Sequence, residues 1–161
     1  MILRPDKNLK DIYEITPEML KDMGIHAMLI DLDSTTMQSK TGEFTGKTID
    51  WFNQFKKEFY MCIVSNNKNK EYIEKVEQHM PCKMYFHANK PCPKTVKNII
   101  KGLFMSPKNV VVIGDRPLTD ILVGKLAGTK TILVGSINPD ENLPTRAVRF
   151  LERLTICPFW G

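Results

Sequence analysis

Nowhere in the 161-residue chain is there an apolar stretch long enough to cross a bilayer. The opening Met1-Ile2-Leu3-Arg4-Pro5-Asp6-Lys7 also lacks the apolar core of a secretion signal. A soluble, cytoplasmic protein is the expectation. The four cysteines (Cys62, Cys82, Cys92, Cys157) show no C-x-x-C spacing and form no zinc pattern with His26, His79 and His87. That argues against a disulfide framework or a structural zinc site and for free thiols in a reducing compartment. Long basic runs and aromatic–basic interleaving are missing too, so nucleic acid is not an expected partner. The net charge of +5 biases the surface toward phosphates or anionic lipid without choosing between them.

What is present is ordinary for a globular chain: 42% hydrophobic and 25% charged residues, without repeats or low-complexity tracts. One domain over 1–161 is expected, with 1–24 a helical lead-in and 144–161 a C-terminal helix and tail. At this length folding buries roughly 70% of the extended chain's surface, enough for one sizeable core.

Thr16 as N-cap, Pro17 in the first turn and Gly24 as terminator bracket a short helix. Apolar runs then alternate with helical stripes. The strands are expected at Ala27–Ile30, Met61–Val64, Met84–Phe86, Val110–Ile113 and Thr131–Val134. Between them, Ile49/Phe52/Phe55/Phe59, Ile73/Val76/Met80, Val96/Ile99/Ile100/Leu103 and Ile121–Ala127 read as helices. A last helix is expected over Thr145–Leu154. Strands that are apolar throughout and alternate with helices predict an α/β fold, a doubly wound parallel five-stranded sheet covered on both faces.

Ligands of such sheets bind at the carboxyl ends of the strands. Four polar fragments fall at that edge: Asp31-Leu32-Asp33-Ser34-Thr35, Ser65-Asn66-Asn67, Asn89-Lys90-Pro91 and Gly114-Asp115 with Asp120. Alternation puts Asp31 and Asp33 on one side of an extended chain with Leu32 on the other, and like charges that close call for a cation or a shared proton. Singly, each fragment has a plainer explanation as a cap, a turn or a surface lysine. Jointly, in this order on successive strand ends, they resemble the four motifs of the haloacid dehalogenase superfamily of aspartate-nucleophile phosphatases, over nearly the whole chain.

That resemblance implies roles. Asp31 attacks phosphorus, and Asp33 protonates the leaving alcohol and then activates water. Ser65, Asn66 and the amides after Ser65 bind phosphoryl oxygens, and Lys90 offsets the negative charge. Magnesium sits on Asp31, the main-chain carbonyl of Asp33 and Asp115. Asp120 acts through a water or by orienting Lys90, and Thr35 supports the loop or the phosphoryl group. The intervals between Thr35 and Ser65 and between Ser65 and Lys90 are each filled by one helix with its connections. Neither can hold a cap domain of at least roughly 50 residues. An uncapped site admits a macromolecule, a lipid headgroup, or closure by a neighbouring subunit.

The opening Ile12–Leu20 together with the four motifs is similar to the YqeG-type branch, which is akin to mitochondrial phosphatidylglycerophosphate phosphatases. Ser34 and Thr36 stand where that branch usually has Asn and Leu, and Arg116-Pro117 after Asp115 is unusual. Arg146, Arg149 and Arg153 beside Phe159 and Trp160 form a candidate contact with an anionic membrane. The equally plain alternative is a helix docked through Val148, Leu151 and Leu154. Soluble sugar or nucleotide phosphates are the alternative substrates. A phospho-receiver domain is the alternative of another class, but its acceptor Asp belongs after the third strand and its lysine after the fifth. Here those places hold Tyr85-Phe86-His87 and Gly135-Ser136.

Overall fold

The structure, a computed structural model, describes residues 3–138. The expected C-terminal helix, with Arg146, Arg149, Arg153, Cys157, Phe159 and Trp160, lies outside the described residues. The strands are β1 (Lys7–Asn8), β2 (Ala27–Ile30), β3 (Tyr60–Val64), β4 (Lys83–Tyr85), β5 (Val110–Gly114) and β6 (Lys130–Leu133). They form one sheet in the order β1-β6-β5-β2-β3-β4, with every pair parallel. Helices α1 (Pro17–Asp22), α2 (Gly46–Phe55) and α3 (Lys70–Glu77) cover one face, and α4 (Lys94–Gly102) and α5 (Leu122–Ala127) the other. The doubly wound α/β reading holds. Each strand-to-strand connection flanking the site carries a single helix, with no inserted domain among the described residues.

The sheet has six strands, one more than expected. Its extra edge strand is two exposed polar residues, Lys7 and Asn8, which carry no apolar signature; the pairing is held by their neighbour Asp6. The Asp6 carboxylate accepts from Thr131 N at 2.8 Å, Thr131 Oγ1 at 3.0 Å and Lys125 Nζ at 2.9 Å. Burial would raise this carboxyl, but the hydrogen bonds from Lys125 and Thr131 outweigh it and hold it below the ordinary carboxylate value. A depressed pKa contributes stability above the unfolded-state value of about 3.9 and loses it as pH falls through the lower folded value. Asp6→Ala should therefore cost about 1 kcal/mol at pH 7, discounted for partial exposure. In urea titrations the gap from wild type should close below about pH 4.

The central strand β2 lies between β3 and β5, all four of its residues buried. Its even side packs Met28 and Ile30 with Leu20, Trp51, Phe52 and Phe55. Its odd side packs Ala27 and Leu29 with Val96, Ile100, Val112 and Val123. Along α2 the buried positions are Thr48, Trp51, Phe52 and Phe55, the spacing of one helical face. Ile49, expected on that stripe, falls beside it and is 42% exposed, while Phe59 follows the helix and packs against Phe55. The helix expected at Ile121 starts earlier, because a π-turn over Pro117–Ile121 runs into α5. Cys62, Cys82 and Cys92 are free thiols, and no helix among the described residues is long and apolar enough to cross a membrane.

Candidate active site

Register brings the motifs together. Ile30 pairs with both Ile63 and Ile113, so Asp31 is level with Val64 and Gly114, and Ser65 and Asp115 follow one residue later on flanking strands. The backbone N–H of Asp31 still donates to Ile113 O (2.9 Å), which ties the first acid to the sheet. Past it the chain turns sharply. Ser34 adopts φ +69°, its N–H donates to Met37 O (2.8 Å), and the Thr36 hydroxyl donates to Leu32 O (2.9 Å). Left-handed backbone suits asparagine better than serine. Here the Ser34 hydroxyl bonds Ser39 Oγ (2.7 Å) and accepts from Asn138 Nδ2 (2.7 Å), so two hydrogen bonds support the less favourable residue.

Asp31 and Asp33 both line a cavity of about 300 Å³ at this edge, together with Ser65, Lys90, Arg116 and Asp120. Leu32 between the two acids is fully buried, as alternation requires. The cavity floor is a charge cluster. Lys90 Nζ lies 2.7 Å from Asp31 Oδ1 and 2.6 Å from Asp120 Oδ1. Oxygens of Asp31, Asp115 and Asp120 lie within 4.8 Å of one another. Thr35 is buried behind the wall, its hydroxyl 3.2 Å from Asp115 Oδ1 and 3.4 Å from Asp31 Oδ2. Burial pulls the Lys90 ammonium down, but the carboxylates of Asp120 and Asp31 outweigh it and hold the proton above the ordinary lysine value. Burial, with Asp31 adding, pushes the Asp120 carboxyl up to about 6 against the pull of Lys90.

Three carboxylate side chains gathered about one ammonium in nearly dry surroundings form a cluster that a divalent cation would suit. The donors are all oxygens, which fits a hard ion such as magnesium. Asp120 is the least available of the three: Oδ1 holds Lys90, and Oδ2 accepts from Arg116 N (3.1 Å). Gly114 makes that placement sterically feasible, since a Cβ there would lie 2.3 Å from the Asp120 carboxyl carbon.

Asn66, read from sequence as a substrate contact, lines the cavity, while its side chain is engaged with Lys90. Its side-chain amide clamps the backbone of Lys90 in both directions: Nδ2 donates to Lys90 O (2.9 Å) and Oδ1 accepts from Lys90 N (2.7 Å). It thereby sets the direction of the lysine. Ser65 is buried at the cavity wall, and its hydroxyl accepts from Asn67 N (3.1 Å).

Tyr72, on α3, was not anticipated. Its hydroxyl donates to Asp33 Oδ1 at 2.6 Å, while Asn67 Nδ2 approaches Asp33 Oδ2 at 3.5 Å. Burial, reinforced by the Asp33 carboxylate, pushes the phenol above its ordinary value, so it remains a donor at any working pH. A chain of side-chain-to-backbone bonds leads to it from the phosphate-side loop. Ser65 Oγ accepts from Asn67 N, Asn67 Oδ1 from Asn69 N (2.9 Å), and Asn69 Oδ1, capping α3, from Tyr72 N (3.0 Å). A tyrosine on a half-buried helix face reads as core in sequence; only tertiary packing brings it to Asp33.

Comparison with known proteins identifies the family. The family model described as mitochondrial PGP phosphatase matches residues 1–137. The probable phosphatase YqeG of Bacillus subtilis is 30% identical over 149 residues, 92% of this chain and 87% of that protein. Among solved structures, a predicted haloacid-dehalogenase-like hydrolase from Porphyromonas gingivalis aligns with TM-score 0.56 at 13% identity, over 79% of this chain and 98% of that one. An uncharacterised protein from Listeria monocytogenes aligns with TM-score 0.57 at 16% identity, over 74% and 85%. The structural likenesses speak for the fold, and the family model and the Bacillus relative for the chemistry. The chain belongs to the PGP phosphatase family and is a phosphatase of the YqeG type.

Proposed function

We propose that the protein is a magnesium-dependent phosphomonoesterase that works through an aspartyl-phosphate on Asp31, with a phospholipid headgroup of the phosphatidylglycerophosphate type as substrate. The supporting observation is the floor of the cavity, where Lys90 bridges Asp31 and Asp120 beside Asp115, at the sheet edge where ligands of this architecture bind. Asp31, which Lys90 holds through Oδ1, attacks phosphorus with its other oxygen. The bond from phosphorus to the leaving oxygen breaks, and Asp33 supplies that oxygen with a proton. Asp33 then takes a proton from water as the water attacks the phosphoryl group. Inorganic phosphate leaves and the Asp31 carboxylate is restored. Ser65 and the amide of Asn66 hold phosphoryl oxygens while Lys90 balances their charge.

The metal would sit on the carboxylates of Asp31 and Asp115 and the main-chain carbonyl of Asp33, supplying charge neutralisation as phosphate meets carboxylate. Asp120 serves through Lys90. Magnesium should raise the thermal unfolding midpoint of the wild type and leave that of Asp115→Ala unmoved, a readout independent of turnover.

The lipid reading draws on the family description and on an edge that no inserted domain among the described residues covers. A soluble protein with peripheral membrane contact fits it. Hydrolysis of phosphatidylglycerophosphate in mixed micelles, set against a panel of soluble sugar and nucleotide phosphates, tests it. Faster turnover of the lipid is the expected outcome, and preference for the soluble panel would move the assignment there.

A further inference from the structure

The two layers of helices differ in charge. From Gln78 through Gly114 the chain has no acidic residue and six lysines: Lys83, Lys90, Lys94, Lys97, Lys101 and Lys108. Lys90 is buried in the catalytic cluster; the other five are exposed. Neighbouring α5 adds Lys125 and no acid. Among the described residues the acids that reach this layer are Asp6, bonded to Lys125 and near Lys130, and buried Asp115 and Asp120 of the site. By contrast, α1, α2 and α3 across the sheet bear Glu18, Asp22, Asp50, Glu71, Glu74 and Glu77 among their lysines. The α4–α5 layer is therefore a face of nearly one sign.

Phe104 stands at the end of α4 on that face. The helix closes with Phe104 N donating to Lys101 O (3.1 Å) and Met105 N to Ile100 O (3.5 Å), a terminus that puts Phe104 at the left-handed position where glycine is the usual residue. Its φ is +53° and it is 96% exposed. Neither backbone preference nor core packing explains a phenylalanine there. Leu126 on adjoining α5 is 42% exposed, and a cleft of about 410 Å³ between β4 and α4, lined by Lys83, Tyr85, Thr95 and Asn98, opens beside them.

We propose that the α4–α5 layer is a docking face for an anionic lipid surface, with Phe104 entering the headgroup boundary and Lys94, Lys97, Lys101 and Lys108 meeting lipid phosphates. Charge complementarity selects an anionic partner. An exposed aromatic on a lysine-bearing layer matches an interfacial anchor. Two residues separate Lys90-Pro91 from α4, so the start of this layer adjoins the catalytic edge. The inference deepens the lipid-headgroup reading and rests on it, yet its test does not pass through turnover.

The full chain is sedimented with vesicles of phosphatidylcholine, with and without phosphatidylglycerol, at about 0.1 M salt. Wild type should pellet only with the anionic vesicles. Lys97→Glu combined with Lys101→Glu should weaken that binding at least about 10-fold. Phe104→Asn should weaken it by roughly 5-fold while unfolding no earlier than wild type, since asparagine suits positive φ better. All variants should hydrolyse p-nitrophenyl phosphate in solution at the wild-type rate, so a failure of docking and a failure of the phosphatase reading are told apart. Equal binding to neutral vesicles, unchanged binding by the variants, or binding of a single-stranded RNA with vesicles ignored would overturn the proposal.

Discussion

Asp31→Asn is expected to lower steady-state hydrolysis of p-nitrophenyl phosphate by about 10⁴-fold or more, because the amide cannot serve as the attacking carboxylate. The fold should survive. Asparagine is nearly isosteric, Lys90 keeps Asp120 at 2.6 Å, and removing one of three crowded carboxylates relieves repulsion. The metal-free variant should therefore unfold no earlier than wild type. Wild-type rates from the purified variant would remove Asp31 from the chemistry, whereas an early unfolding transition would show that the residue holds the structure. The two measurements together separate the roles.

Asp33→Asn should produce the second largest effect, and one that depends on the leaving group. An alkyl alcohol needs a proton as it departs, while p-nitrophenolate leaves without one. Loss of a general acid should thus cost on the order of 10²–10⁴-fold on alkyl phosphates, and less on p-nitrophenyl phosphate in the phosphoryl-transfer step. Tyr72→Phe should follow the same pattern in miniature, about 10-fold on alkyl phosphates and little on the nitrophenyl ester, because the phenol reaches the chemistry through its hydrogen bond to Asp33. Single-turnover measurements with both esters decide it. Equal losses on the two substrates would make Tyr72 a packing residue.

How much of this was legible beforehand follows from the kind of signal each feature leaves. The run Ala27–Ile30 ending in Asp31 and Asp33 combines two strong local patterns, apolar continuity and paired acids, and its place between β3 and β5 follows from strand alternation. Lys90 carries no local pattern of its own. It was identifiable through the order of the motifs, and its aim depends on the Asn66 clamp, a long-range contact that no spacing encodes. The strand at Lys7–Asn8 escaped because two exposed polar residues join a sheet through backbone and through Asp6. Ile49 reads as part of the buried stripe because a three-residue step looks helical even when the face is set by Thr48, Trp51, Phe52 and Phe55. Tyr72 and the fit of Gly114 against Asp120 needed the third dimension altogether.

The run of turns from Ser65 through Asn67 and Asn69 to Tyr72 bears on how such an enzyme diversifies. Its hydrogen bonds link the Ser65 loop to the tyrosine that donates to Asp33. On the proposed mechanism, mutations along it should disturb phosphate binding and proton transfer together, so tolerated variation should gather at other lining residues such as Arg116 and Thr119. Libraries meant to broaden the range of accepted esters have most freedom there, and the run of turns is best left as it stands.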